Sequence, residues 1–169
     1  MSEITTPLPP QGLRPTHAQM LRHLRRSNEV ALRAVALGHH PFGAVLVGPD
    51  QETVLLEQCN IDTVNHAEST LARVAATNYP AEFLWRCTLY TAVEPCCMCA
   101  GACYWAAIGA VVYGLSESRL GTLIGDNPEN LTLDLSCRQV FAAGRRPVAV
   151  RGPFPELEAE ILSDHAGFW

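Results

Sequence analysis

Apolar positions recur with two different periods along this chain, and the changes of period mark out its elements. From Thr16 to about Leu37, Met20, Leu21, Leu24, Ala31 and Val35 fall on one side of a helical wheel, with Thr16 as cap and Gly38 as stop. Two short apolar runs follow, Gly43 to Val47 and Thr53 to Leu56. They flank Gly48-Pro49-Asp50-Gln51-Glu52, the spacing of a hairpin. A second helix is predicted over Ala67 to Ala76, with Leu71, Val74 and Ala75 facing inward and Asn65 or Thr63 as its cap. Cys87 to Val93 reads as a strand, Cys96 to Ala107 as a helix and Gly109 to Tyr113 as a strand. That succession predicts a right-handed crossover between parallel neighbours.

Past Gly114 the pattern weakens. Ser116 to Leu120 opens a short helix, and Gly121 to Asn130 is a loop expected to lie near a site. Ser136 to Ala143 reads as a helix closed by Gly144, Pro147 to Val150 as a last strand, and Glu156 to Leu162 as a final helix. Met1 to Pro15, with Pro7, Pro9, Pro10, Gly12 and Pro15, is expected to be a flexible arm. The expected organisation is one domain over 1–169, a mixed sheet between helical layers, with the arm at 1–15 and a helix plus aromatic cap at 152–169.

Composition narrows the function classes. All twelve basic residues are arginines, and without a lysine Schiff-base chemistry, lysine-anchored pyridoxal phosphate and the P-loop are excluded. A net charge of -5 disfavours nucleic acid as a partner of the whole surface, a local patch apart. Arg22, Arg25, Arg26 and Arg33 share the outer face of the first helix. They read as a solvated face, with a phosphate-contacting patch as the alternative. Seven cysteines, with no signal-like apolar segment at the start and no run long enough to span a membrane, point to a reduced, cytoplasmic chain whose clustered thiols serve metal or catalysis.

The chemistry gathers in Glu94-Pro95-Cys96-Cys97-Met98-Cys99 and in His66-Ala67-Glu68. Cys96 and Cys99, at i and i+3 behind a proline, share a face in the first turn of a helix, where backbone N–H groups and the dipole favour thiolates. With His66 they make the three-ligand set of a zinc site that keeps its fourth position for water. Glu68, two residues from a ligand, is placed to shuttle protons for that water. Cys103 lies on the same helix face as Cys96 and Cys99, one turn deeper, and is expected to be a packed core thiol. As a fourth ligand it would instead make a closed, non-catalytic zinc-binding module.

On these residues, together with Phe42-Gly43-Ala44-Val45 and Asn60, the chain resembles the zinc-dependent cytidine and deoxycytidylate deaminase superfamily across about Thr16 to Gly114. The nearest groups are the bacterial guanine deaminases and the tRNA adenosine deaminases. The resemblance implies a three-layer α/β/α fold with a mixed, mostly parallel five-stranded sheet, one zinc ion per chain and hydrolytic deamination. It also implies that Asn60 bonds the base, the Ala67 N–H meets a ring carbonyl and the Glu94 carbonyl receives the departing amine.

For the substrate, the resemblance to guanine deaminases covers Phe42, Trp105 as part of a helix enclosing a purine, Asp126 as acceptor for an exocyclic amine, and Phe168-Trp169 as an aromatic cap. Guanine or a related aminopurine is the expected substrate. A tRNA adenosine, supported by Ala100-Gly101-Ala102 and the arginine stripe, is the rival, opposed by Glu156, Glu158, Glu160 and Asp164. Cytosine, isocytosine or an aminotriazine is a third reading. The resemblance further implies a homodimer whose helices near the zinc site pack across a two-fold axis.

Overall fold

The computed structural model describes residues 9–169. Helix α1 is His17–Ala36, and its Thr16 cap is a full capping box with Gln19. Strands β1 (Gly43–Val47) and β2 (Val54–Cys59) form the hairpin. Helix α2 (Ala67–Asn78) is followed by a single turn, α3 (Ala81–Leu84), which the sequence pattern did not reveal. Strand β3 (Thr88–Val93), helix α4 (Cys97–Trp105) and strand β4 (Ala110–Leu115) make the expected parallel crossover. Helices α5 (Glu117–Ile124) and α6 (Cys137–Ala142), strand β5 (Ala149–Arg151) and helix α7 (Pro155–His165) complete the chain.

The sheet order is β2-β1-β3-β4-β5. It is mixed and five-stranded as expected. Its pairings divide evenly, however: β1 runs antiparallel to both β2 and β3, while β3-β4 and β4-β5 are parallel. The short loop after β1 makes the β1–β2 pair antiparallel, and the β2-α2-β3 connection returns β3 parallel to β2 and so antiparallel to β1.

Alternation along the strands divides the core in two. Ala44, Leu46, Leu89, Val111 and Tyr113 face α2, α4 and α6 through Leu71, Ala75, Ala100, Cys103 and Phe141. Val45, Val47, Tyr90 and Val112 face α1, α5 and α7 through Met20, Leu24, Leu120, Leu157 and Ile161. Val74, expected inward on α2, is 40% exposed. Pro9 to Pro15 has no regular structure but is docked rather than flexible. The Trp85 indole donates to the Pro9 carbonyl at 2.8 Å and the Gln11 amide to the Gly109 carbonyl at 2.8 Å. The remainder of the predicted arm, 1–8, lies outside the described residues.

The arginine stripe of α1 is occupied by carboxylates of its own chain. Arg22 pairs with Glu52, Arg25 with Glu160, Arg26 with Glu29 and Glu57, and Arg33 with Glu57. The solvated-face reading accounts for it.

Gly43 sets how closely α1 approaches β1. A Cβ there would stand 2.4 Å from the Ala31 nitrogen and 2.5 Å from the Ser27 carbonyl oxygen, both backbone atoms with nowhere to go. Gly43→Ala is therefore expected to cost about 3 kcal/mol and to lower Tm by roughly 6–12 °C in thermal denaturation.

Candidate active site

Two helices begin at the site, and each begins on a residue of the candidate metal triad His66, Cys96 and Cys99. His66 is the N-cap of α2 and Cys96 the N-cap of α4, both in extended conformation and neither using its side chain to cap. The backbone therefore performs the capping turn while imidazole and thiol remain available. This corrects two expectations: neither Asn65 nor Thr63 caps α2, and Cys96 precedes its helix rather than lying within it. Cys99 follows at the third helical position.

The turn that delivers His66 is tied by Asp62, which the sequence reading passed over. Its Oδ1 accepts from the N–H groups of Val64 at 2.8 Å and Asn65 at 2.6 Å, and its Oδ2 from the Asn65 amide at 2.9 Å. The Asn65 N–H leads these bonds in holding the Asp62 carboxyl down at about 2. An Asp followed three residues later by Asn before a helix is the signal that marks such an Asx turn.

The ligand atoms converge. Cys96 Sγ lies 3.6 Å from His66 Nδ1 and 3.6 Å from Cys99 Sγ, and Cys99 Sγ lies 3.6 Å from the same Nδ1. A tetrahedral zinc with ordinary Zn–S and Zn–N bonds separates its ligands by about 3.5–3.8 Å, so this triangle fits one face of that tetrahedron. Cys96 is held down to about 4, first by the hydrogen bond to Cys99 and then by His66, while sharing that charge pushes Cys99 up. Only an added cation lets both be thiolates. Cys103 is buried and lies outside this ligand group. It is a core thiol, and the closed four-ligand module has no support.

Glu68 stands beside the triangle, 4% exposed. Its Oε2 is 3.4 Å from Cys99 Sγ, and its Oε1 accepts from the Thr91 hydroxyl at 2.8 Å. Burial pushes this carboxyl up, and the Thr91 bond works in the opposite direction. Thr91 was not legible as a site residue: a lone threonine in a strand has no spacing to mark it.

Glu94 does more than its backbone suggested. Its buried carboxylate accepts from the Cys137 N–H at 3.0 Å and the Glu117 N–H at 3.2 Å, the first residues of α6 and α5. One side chain thus satisfies an orphan donor of two helices. Glu117, also unforeseen, accepts from the Thr132 hydroxyl and is pushed up to about 7, first by burial and then by Cys96, Glu68 and Glu94 nearby.

Asn60 is buried, with its N–H on the Phe42 carbonyl at 2.9 Å and its Nδ2 on the Asp62 carbonyl at 3.3 Å. Its Oδ1 has no hydrogen-bond partner among the described residues. Ala67, the first residue of α2, is fully buried. Phe42 lies nearly parallel to His66, with ring centroids 6.5 Å apart, and Trp169 meets Phe42 at 6.1 Å and His40 at 4.9 Å. Phe168 stands edge-on to His40 at 5.7 Å. These aromatics form a roof beside the metal ligands, built by the chain on itself.

Two expected substrate residues lie elsewhere. Trp105 is 79% exposed at the opposite end of α4 from Cys96, next to Met98, Ala102, Ala72 and Ala76. Asp126 is exposed in the turn after α5, with no side-chain hydrogen bond among the described residues. From the same loop it is Glu129 that reaches the roof, 3.9 Å from His40 Nε2.

Residues 17–115 match the model of the cytidine and deoxycytidylate deaminase zinc-binding region. A probable cytosine deaminase of Schizosaccharomyces pombe is 33% identical over 88% of this chain and 91% of its own length. The guanine deaminase of Bacillus subtilis is 43% identical over 56% of this chain and 64% of its own. Its solved structure aligns with a TM-score of 0.54 and 28% identity, over 76% of this chain and 93% of that one. The tRNA-specific adenosine deaminase of Haemophilus influenzae is 38% identical over 59% of this chain and 60% of its own. With the zinc triangle and Glu68 in place, the chain belongs to the cytidine and deoxycytidylate deaminase family and is a zinc-dependent hydrolytic deaminase of nucleobases or nucleosides.

Proposed function

We propose that the substrate is a free nucleobase, guanine or a related aminopurine. The observation that carries this reading is the roof. Phe42, His40, Phe168 and Trp169 put flat apolar faces beside the ligands, as a planar heterocycle requires. Charge supports it. Glu68, Glu94 and Glu117 crowd the site, and the arginines of α1 are paired within the chain, so a phosphate backbone finds repulsion and few free cations. The second reading, cytosine, is favoured by the relative that matches the greater part of this chain.

Zinc held by His66, Cys96 and Cys99 supplies a Lewis acid that brings the pKa of water close to neutrality. The rest is the work of the chain's own groups. Glu68, ionised, takes one proton of the attacking water and passes it to the ring nitrogen, then takes the second from the hydroxyl left on the attacked carbon and delivers it to the departing amine. The unpartnered Asn60 Oδ1 accepts from a base N–H. The Ala67 N–H, free of an intrahelical partner in the first turn, donates to a ring carbonyl. The Glu94 carbonyl receives the leaving amine.

The exposed face of α2 and α4 supports a homodimer. Trp105, 79% exposed, stands with Ala72, Ala76, Met98, Ala102 and Ala106 around a shallow hollow between α2 and α4, edged by Arg73. Trp105 then serves association in place of the pocket. Sedimentation at micromolar concentration is expected to give a dimer, and Trp105→Glu a monomer; a monomeric parent protein refutes the assignment.

Ammonia release from guanine, cytosine, isocytosine and an anticodon stem-loop tests the substrate. Guanine turnover without stem-loop turnover is expected, and cytosine turnover without guanine turnover overturns the purine reading. Glu68→Gln is expected to keep its zinc and lower turnover by about 10³-fold. Thr91→Val removes a donor that favours the ionised Glu68. Glu68 must be ionised to act, so the acid limb of the kcat/KM profile moves to higher pH and activity near neutrality falls by about ten-fold.

A further inference from the structure

His165 takes no part in the chemistry above, yet it is 1% exposed and lies within the roof, on the last turn of α7. Its ring meets Phe42 at 5.4 Å, tilted by 62°, and lies 6.1 Å from Trp169 at 16°, nearly parallel. Trp169 Nε1 is 3.3 Å from His165 Nδ1. An indole N–H only donates, so Nδ1 is the acceptor and the imidazole proton sits on Nε2. Burial pushes this imidazole down to about 4, which keeps the Nδ1 lone pair available at neutral pH.

Nε2 is buried and has no hydrogen-bond partner among the described residues. Proteins seldom keep an orphaned buried donor. A leucine or phenylalanine would fill this volume without one, so what distinguishes histidine here is its bond to Trp169. Trp169 in turn packs on His40 and Phe42, and Phe42 lies against the ligand His66.

We propose that His165 is a positioning residue: through Nδ1 it holds the Trp169 indole against Phe42 and His40 as a fixed wall of the base-binding cleft. The proposal rests on the nucleobase reading above. The segment from Ala166 to Trp169 follows α7 outside any regular element, and a wall ordered in advance spares the substrate the cost of ordering it. Loss of the bond therefore weakens ground-state and transition-state binding together, which raises KM and leaves kcat nearly alone.

The test uses the zinc-loaded protein and whichever base the wild type turns over. His165→Phe keeps an aromatic ring and removes the acceptor. It is expected to raise KM by about ten-fold, with kcat within about three-fold and zinc content unchanged. His165→Gln, which restores a side-chain acceptor, is expected to recover part of the loss. Trp169→Phe should raise KM to a similar extent, and the double variant should be no worse than either single one. A second arm needs no substrate. In ¹H–¹⁵N spectra the His165 Nδ1 is expected to be unprotonated, and the Trp169 indole signal, assigned by its loss in Trp169→Phe, is expected to shift in His165→Phe. Wild-type KM in His165→Phe, losses that multiply in the double variant, or an unmoved indole signal overturns the proposal. A wild type that turns over no base defeats the nucleobase reading instead, and the spectra still decide whether His165 holds Trp169.

Discussion

Confinement of negative charge is the constraint from which the rest of this site follows. Two sulfurs 3.6 Å apart, with a carboxylate oxygen 3.4 Å from one of them, cannot all be ionised in a buried place unless positive charge is supplied there. The fold supplies some of it by pointing the N-termini of α2 and α4 at one spot, and a divalent ion supplies the remainder. That demand reaches far into the chain. Asp62 must tie the turn before His66, and β3 must end where β4 and α4 can flank it. The tight seat of β1 under α1 then holds Phe42 next to the ligand histidine.

How much of this could be read in advance depended on range. The grouping of His66, Cys96 and Cys99, with Glu68 beside them, was legible because it is written at short spacings: Cys96 with Cys99, and His66 with Glu68. The crossover and both long amphipathic helices were legible for the same reason, as periodicity over a dozen residues. The β1–β2 hairpin was legible from its short loop; the antiparallel pairing of β1 with β3 was not, because it joins strands separated by β2 and α2. Thr91 and Glu117 went unseen because each matters only through a partner 15 or more residues away, Glu68 in one case and Thr132 in the other.

Trp105 turns on distance along its helix. Its place in the motif helix was read correctly, but distance along a helix decides which end a side chain serves, and nine residues beyond Cys96 it lies well away from the metal. Asp126 depends on loop register: it is exposed in the turn after α5, while the loop returns to the roof through Glu129 and His40. The aromatic cap was anticipated as a pair of residues. Its assembly from two distant stretches, with His40 and Phe42 meeting Phe168, Trp169 and His165, needed the folded chain.

The Glu94 carboxylate grips the first N–H of α5 and the first N–H of α6, and between those two points runs the stretch that carries Glu117, Asp126, Glu129 and Thr132. Both ends of that stretch are fastened to one side chain, adjacent in sequence to the zinc motif. Leu120 and Ile124 hold α5 in the core, so it is the loop carrying Asp126 and Glu129 that can change in length while its two ends stay fixed. One side chain next to the zinc motif thus sets where that loop leaves the centre and where it returns.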